Sequence, residues 1–313
     1  GVAAVNVPRR FGGSRLAKAW CPPQAALGLP LLDRTRGGEA LDLMLNWLGR
    51  GQAGVSAVLF PNVPSAGPTM ALIRARAAAG ALWCESFDPR ARAMLIGNCD
   101  VRALLERGMS SKRLKKIDRQ RMRLARLGTL AYVRGEATQV KAAAEQFLAI
   151  EANGWKGARG TALLNDPGLT TFARSMTRLL TRAGKCRIDS LELDDEPIAM
   201  GIFLTSGRHA FVWKVAYDER YAAFSPGVQF MVDFMRRQSA DPAVDRTDSC
   251  AIPGHPMIDR LWPDRLDLAD ILVAPASMHS DAFAAMALRE RVGRGLRARA
   301  KRAFYALKGG HPS

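Results

Sequence analysis

Three strand-like segments follow one another between residues 186 and 217 with almost nothing between them: Cys186 to Leu193, Pro197 to Thr205 and Arg208 to Tyr217. Each is rich in β-branched, aromatic and aliphatic residues. The breaks, Asp194-Asp195-Glu196 and Ser206-Gly207, have room only for tight turns. A parallel pair would need a crossover of about a dozen residues. The three segments therefore form an antiparallel meander, and the rest of the chain must pack around it. Ahead of it lie a strand at Thr129 to Arg134 and an amphipathic helix at Thr138 to Ala152, with Val140, Ala144, Phe147 and Leu148 inward. A second helix runs from Gly168 to Arg182. Behind it come a helix at Pro226 to Gln238, a short strand at Val244 to Cys250, a turn or helix at Pro256 to Trp262 and a strand at Asp267 to Val273. Written as elements, the order is β-α-α-β-β-β-α-β-α-β.

The first 128 residues read as a smaller α/β half. Loops with short extended pieces reach Gly38, and Leu41, Met44, Leu45 and Leu48 mark a helix from Glu39 to Leu48. A buried strand occupies Gly54 to Phe60 within the apolar run from Ala53, closed by Pro61-Asn62. A helix at Pro68 to Ala79 and an extended stretch at Ala81 to Phe87 follow. Ser110 to Leu127 is a helix carrying eight Lys/Arg and one acid, Asp118, with Leu114, Ile117, Leu124 and Leu127 for packing and Gly128 as its C-cap. It is either a solvated connector or a face for phosphate or an acidic polymer. The expected division is 1–128, 129–275 and a basic tail, 276–313.

Composition narrows the class. Forty-six Lys+Arg against 29 Asp+Glu leave a net charge of +17, which draws the chain to anionic surfaces. At 48% hydrophobic residues it can fill a core, which excludes a disordered basic protein. No apolar run reaches the eighteen or so residues of a membrane span, and the first residues lack the order of a signal peptide. Cys21, Cys84, Cys99, Cys186 and Cys250 contain no Cys-x-x-Cys, so reduced thiols in a cytoplasmic chain are expected. His209, His255, His279 and His311 are too scattered for a zinc site, so no metal is expected. No phosphate-binding Gly-x-x-x-x-Gly-Lys loop, Gly-x-Ser-x-Gly elbow or dinucleotide fingerprint is present.

The element order is the one used by the GNAT acyltransferase superfamily, and local motifs sharpen the match. Glu151-Ala-Asn-Gly154-Trp155-Lys156-Gly157, continuing to Gly160-Thr161-Ala162, resembles a signature of the branch labelled cellulose-biosynthesis (CelD-like) acetyltransferases. Lys214-Val-Ala-Tyr217-Asp218-Glu219-Arg220-Tyr221, followed by Ser225-Pro226-Gly227, is similar to a second motif of that branch, and Leu27-Gly-Leu-Pro-Leu-Leu-Asp33 to a third. The likeness spans about residues 20 to 275. The stretch from Asp248 to Asp259 departs from it, lacking the Gly-rich pattern and following Lys. More distantly the branch is similar to the Fem-type transferases, whose chains hold two GNAT-like halves. The resemblance implies a GNAT-like α/β (α+β) fold: a mixed, mostly antiparallel central sheet flanked by helices, in two GNAT-like halves.

It also implies a reaction, transfer of an acyl group from coenzyme A to an amine acceptor such as an amino sugar, polysaccharide precursor or lipid-linked amine. Ser225, Pro226 and Gly227 sit between a strand and a helix. Ser suits an N-cap, Pro the first turn and Gly a close ligand, so the N–H groups of Gly227, Val228 and Gln229 are the expected diphosphate grip. In the resembled fold the preceding strand, here at Val215 or Ala216, exposes backbone to the pantetheine arm, and one N–H there polarises the thioester carbonyl. Candidate bases are Asp248, Glu151 and His255, each with a plain alternative as cap, anchor or solvated turn. Trp155 and Lys156 are candidates to stack on and pair with an acceptor sugar or phosphate, or Trp155 is a core anchor. Lys214, Tyr217 and Asp218 line the pocket or form a structural pair. Fem-like transfer from aminoacyl-tRNA and a non-catalytic membrane or nucleic-acid binder are the alternatives.

The tail, Asp281 to Leu307, reads as a helix with Leu288, Val292, Leu296, Ala300 and Phe304 stepping by four. Arg291, Arg294, Arg297, Lys301, Arg302 and Lys308 fall on the other side. An anionic membrane surface, docking onto the domain and, less favoured, nucleic acid are its candidate partners. The first would put the chain at the inner membrane surface.

Overall fold

The computed structural model describes residues 1–7, 15–50 and 54–307. Ala53 and Lys308 lie outside these residues. The elements begin with β1 (Val5–Asn6), β2 (Arg15–Ala19), α1 (Gly37–Arg50), β3 (Val55–Pro64), α2 (Pro68–Ala78) and β4 (Leu82–Ile96). They continue with α3 (Val101–Gly108), α4 (Ser111–Leu124), β5 (Leu130–Val133), α5 (Val140–Asn153), α6 (Trp155–Ala158) and α7 (Pro167–Arg182). Next are β6 (Cys186–Leu193), β7 (Glu196–Ser206), β8 (His209–Tyr217), α8 (Pro226–Ser239) and β9 (Arg246–Asp248). The last are α9 (Ile258–Leu261), β10 (Asp264–Pro275) and α10 (Ser280–Leu307). Two compact units result, residues 1–90 with 267–313 and residues 91–266. Residue 128, where the sequence suggests a boundary, lies inside the second.

In the first unit the strands run in the order β1-β2-β3-β10-β4, with β2 parallel to β3 and β10 antiparallel to it. Leu41 and Leu45 of α1 and Ile73 of α2 pack on Phe60, Val63 and Ile271. On the other face Phe283 and Met286 of α10 cover Leu59, Phe87 and Leu272. A strand covered on both sides reads as an unbroken apolar run, which is why β3 was visible in the sequence. Pro61-Asn62 does not end it. Asn62 takes φ 53° and donates its N–H to Asp270 at 3.0 Å, and a bulge opposite, between Ala269 and Ile271, lets pairing resume to Pro64. The stretch expected at Ala81 to Phe87 is likewise longer, fifteen residues. Of the tail, the residues that dock are Phe283, Met286 and Ala287, whereas Leu288, Val292, Leu296 and Phe304 are more than half exposed.

In the second unit the order is β4-β9-β8-β7-β6-β5, antiparallel throughout except for β8 beside β9. The meander is as its turns demand: Asp194 and Asp195 both take positive φ, the geometry of a two-residue hairpin loop. Phe147 and Leu148 of α5 cover Ile188 and Ile202 on one face. Phe230 and Phe234 of α8 meet Phe203 and Trp262 on the other, with the Phe203 and Phe234 rings stacked at 4.1 Å. Gly201 makes room for this aromatic layer, since a Cβ there would lie 2.7 Å from the Phe230 ring. Two local expectations shift. Helix α4 ends at Leu124, capped by Ala125, which leaves Leu127 54% exposed beyond it. Gly128 instead admits the Asp194 carboxylate, which accepts from Thr129 N–H at 2.7 Å. Helix α3, unmarked by periodicity, is started by Asp100 accepting from the N–H groups of Arg102 and Ala103.

Candidate active site

The site begins where two parallel strands stop pairing. β8 and β9 are in register from His209/Arg246 to Phe211/Asp248, and the Arg246 guanidinium donates to the His209 ring at 2.9 Å. There β9 ends. Cys250 turns the chain away at φ 52°, its N–H donating to Asp248 Oδ1 at 2.9 Å. β8 continues to Tyr217, paired only with β7, and the ladder between them slips at Trp213, one residue too many opposite Ile202-Phe203. A bulge bends the strand that carries it. Pairing between β8 and β9 thus stops at Phe211.

Against the rest of β8 lies a buried charge cluster. Glu151, at the end of α5, is 2% exposed, and its Oε1 accepts from Lys156 Nζ and Lys214 Nζ, both at 3.0 Å. Its Oε2 accepts from Leu163 N–H at 2.8 Å. Lys156 Nζ also donates to the Val215 carbonyl at 3.1 Å. The glycines of the signature make this possible. A Cβ at Gly157 would collide with the Ala152 carbonyl, and Gly160 takes φ +69° so that Thr161 and Ala162 return their N–H groups to the Lys156 carbonyl at 2.8 and 3.1 Å. Burial pushes the Glu151 carboxyl up, but Lys156, the Leu163 N–H and Lys214 outweigh it and hold it below the ordinary value of 4.5. Burial pulls Lys156 below its ordinary value, opposed by Glu151 and reinforced by Lys214.

Beside the start of α8 is a cavity of about 540 Å3. Lys112, Arg113, Lys116 and Arg119 of α4 line it with Arg260, Ser225 and Val228, and no carboxylate does. α4 is held in place by residues beside and behind these cations. Gln120 Nε2 donates to Ser225 Oγ at 3.1 Å, Gln229 Nε2 donates to the Ile117 carbonyl at 3.0 Å, and Arg121 pairs with Asp233 at 2.8 Å. Leu114 and Leu124 are buried beneath. Ile117 and Gln120, which dock the helix, thus share the cavity wall with its cations.

Several expected roles change with these partners. The N–H groups of Val228 and Gln229 already donate to the Ser225 carbonyl, at 2.9 and 3.1 Å. Gly227 and Pro226 are buried, and a Cβ at Gly227 would lie 3.2 Å from the Tyr217 ring. The opening turn is therefore not a three-amide cradle; its open side is Ser225 and Val228, facing the cations. Asp248 is buried with both oxygens engaged, one by the Arg92 guanidinium and one by Cys250 N–H. Glu151 has three donors on its two oxygens. His255 Nδ1 accepts from the N–H groups of Met257 and Ile258 at 3.3 Å, and burial lowers its proton affinity. A neutral imidazole used this way presents an Nε2–H, a donor and not a base. Asp218 caps the 3-10 turn at Glu219–Phe224, and its hydrogen bonds to Arg220 hold its carboxyl low. Trp155 is no core anchor: it is 44% exposed, with Arg159 and Lys156 over its ring at 5.0 and 5.9 Å. Ala216 is buried within the β7 ladder. Arg260 and the Trp213 bulge had no signal in the sequence; the α4 cations had one, but not the cavity they line.

Residues 111–251 match the family model described as an acetyltransferase (GNAT) domain. This segment is a GNAT domain. Over more of the chain the fold is similar to the C-terminal domain of a putative lysylphosphatidylglycerol synthetase from Agrobacterium fabrum. That match has a TM-score of 0.51 and 13% identity, over 92% of this chain and 84% of that one. FemX matches with a TM-score of 0.53 and 12% identity, over 87% and 84% of the two chains. A conserved protein of unknown function from Bacteroides thetaiotaomicron matches with a TM-score of 0.51 and 12% identity, over 84% and 80%. At such identities the likeness is one of fold. A search of curated proteins gives no match. Among the described residues no helix is long and apolar enough to cross a membrane, and no group of three His, Cys, Asp or Glu is placed to hold a metal.

Proposed function

We propose that the chain transfers an acyl group from coenzyme A to an amine, and that the GNAT domain performs the transfer between β8 and the start of α8. The observation that carries this is a cavity with five cations and no acid at the start of α8, reached from β8, a strand that pairs with β9 only as far as Phe211. An extended amide-bearing arm pairs with a strand edge as an added strand would. A nucleotide's phosphates are held at such a cavity by Lys116, Arg260 and their neighbours, with Ser225 and the positive end of α8 behind them.

The acceptor nitrogen attacks the thioester carbonyl carbon, the carbonyl oxygen becomes an oxyanion, and collapse breaks the carbon–sulfur bond while the nitrogen's proton passes to the departing thiolate, giving the amide and the thiol. With Glu151, Asp248 and His255 each engaged, the chain's contribution is position and charge. Lys156, fixed by Glu151 at the β8 edge, supplies an ammonium to the oxyanion. Trp155 and Lys214 border the acceptor side, an amino sugar, polysaccharide precursor or lipid-linked amine.

One observation favours a second reading. Lys156 already occupies the Val215 carbonyl, which a pantetheine arm pairing along this edge would have to skirt and a Fem-like aminoacyl-tRNA donor held elsewhere would not. Calorimetry with acetyl-CoA, longer acyl-CoAs and charged tRNA separates the two. Micromolar acyl-CoA binding that weakens about tenfold in Lys116→Ala/Arg260→Ala is expected. Binding of tRNA with none of any thioester replaces the first reading by the second.

A further inference from the structure

The last helix carries a surface that the GNAT chemistry does not use. α10 has 28 residues, about 42 Å of helix. Its first turns are tied to the first unit by Phe283, Met286 and Ala287, and by Arg294, which pairs with Asp270 at 2.8 Å and with Glu290 at 2.7 Å. The opposite side is uncovered: Leu288, Val292 and Leu296, one turn apart, are 61%, 53% and 59% exposed. From Gly295 to Phe304 every residue is exposed. Arg289, Arg299 and Arg302 flank this row, and residues 288 to 304 hold seven Lys/Arg against one acid, Glu290. Glu290 is already shared between Arg294 and Arg297.

We infer that this face of α10 lies on an anionic lipid bilayer. A helix with an apolar row bordered by guanidiniums matches the boundary between acyl chains and headgroups, because long cationic side chains reach from apolar depth to phosphate. A plane also accepts the whole length of the helix without a shaped counterpart. A second copy of the chain is disfavoured as the occupant, since it would bring an equal positive charge against this one. The inference is independent of the acyl donor.

The test is co-sedimentation of the full chain with vesicles of phosphatidylcholine alone and of phosphatidylcholine mixed with phosphatidylglycerol. Binding only to the mixed vesicles, weakened by salt, is expected. Leu288→Glu/Val292→Glu/Leu296→Glu should bind at least about tenfold more weakly with unchanged circular dichroism, since all three side chains are already in water. Arg299→Ala/Arg302→Ala should lose about tenfold as well. Protein that ignores anionic vesicles, or a triple variant that binds them as well as the parent, overturns the inference. So does a dimer in sedimentation velocity that the triple variant dissolves.

Discussion

Glu151 shows how little a residue's identity says about its role until its partners are known. A carboxylate beside a Gly-Trp-Lys-Gly motif invites assignment as a base, yet this one has both oxygens filled and two ammonium groups dependent on it. Glu151→Gln leaves Lys156 and Lys214 without a counter-charge in a mostly buried place, and should lower stability by about 2–3 kcal/mol in urea unfolding at neutral pH. The pH dependence has a definite sign. The folded carboxyl is held below 4.5, so its contribution is complete above about that pH and is lost as pH falls through the lower folded value. The difference between parent and variant should therefore shrink on acidification. Lys156→Met tests the other half of the pair: kcat should fall about 100-fold with the KM for acyl-CoA nearly unchanged. A raised KM with kcat unchanged would make Lys156 a binding group only.

Among the elements, β7 and β8 do the positioning. Gly201 sits in mid-strand, where glycine is ordinarily a weakness, because the Phe203, Phe230 and Phe234 layer needs its missing side chain. Gly201→Ala should cost about 2–3 kcal/mol by thermal or urea denaturation, through displacement of rings with no free space. The meander was legible in the sequence, β6 to the residue, because two-residue turns and alternating apolar side chains are local constraints. The bulge at Trp213 was not, since a bulge exists only relative to the strand opposite. Helix α4 was legible as a basic helix, but whether its cations faced open water or a cavity depended on Gln120 and Arg121 meeting α8.

For the whole molecule, the charge of +17 bears directly on the donor proposed above, which is polyanionic. The cavity cations have no acidic neighbours in its lining to screen them, so the KM for acyl-CoA should rise about tenfold from low to high ionic strength while kcat stays level. A KM indifferent to salt would place the donor's phosphates elsewhere. The sequence by itself determined the meander, most of the helices and the glycines of the signature loop. Turn length, side-chain periodicity and steric room all act within a few neighbouring residues. Only the tertiary structure decided which polar groups remain free to act. Asp248 is claimed by Arg92, 156 residues away, Glu151 by Lys214, 63 away, and the α8 cavity is completed by Arg260. A hydrogen-bonding group's availability depends on what the folded chain brings within 3 Å of it, and separation along the sequence does not record that distance.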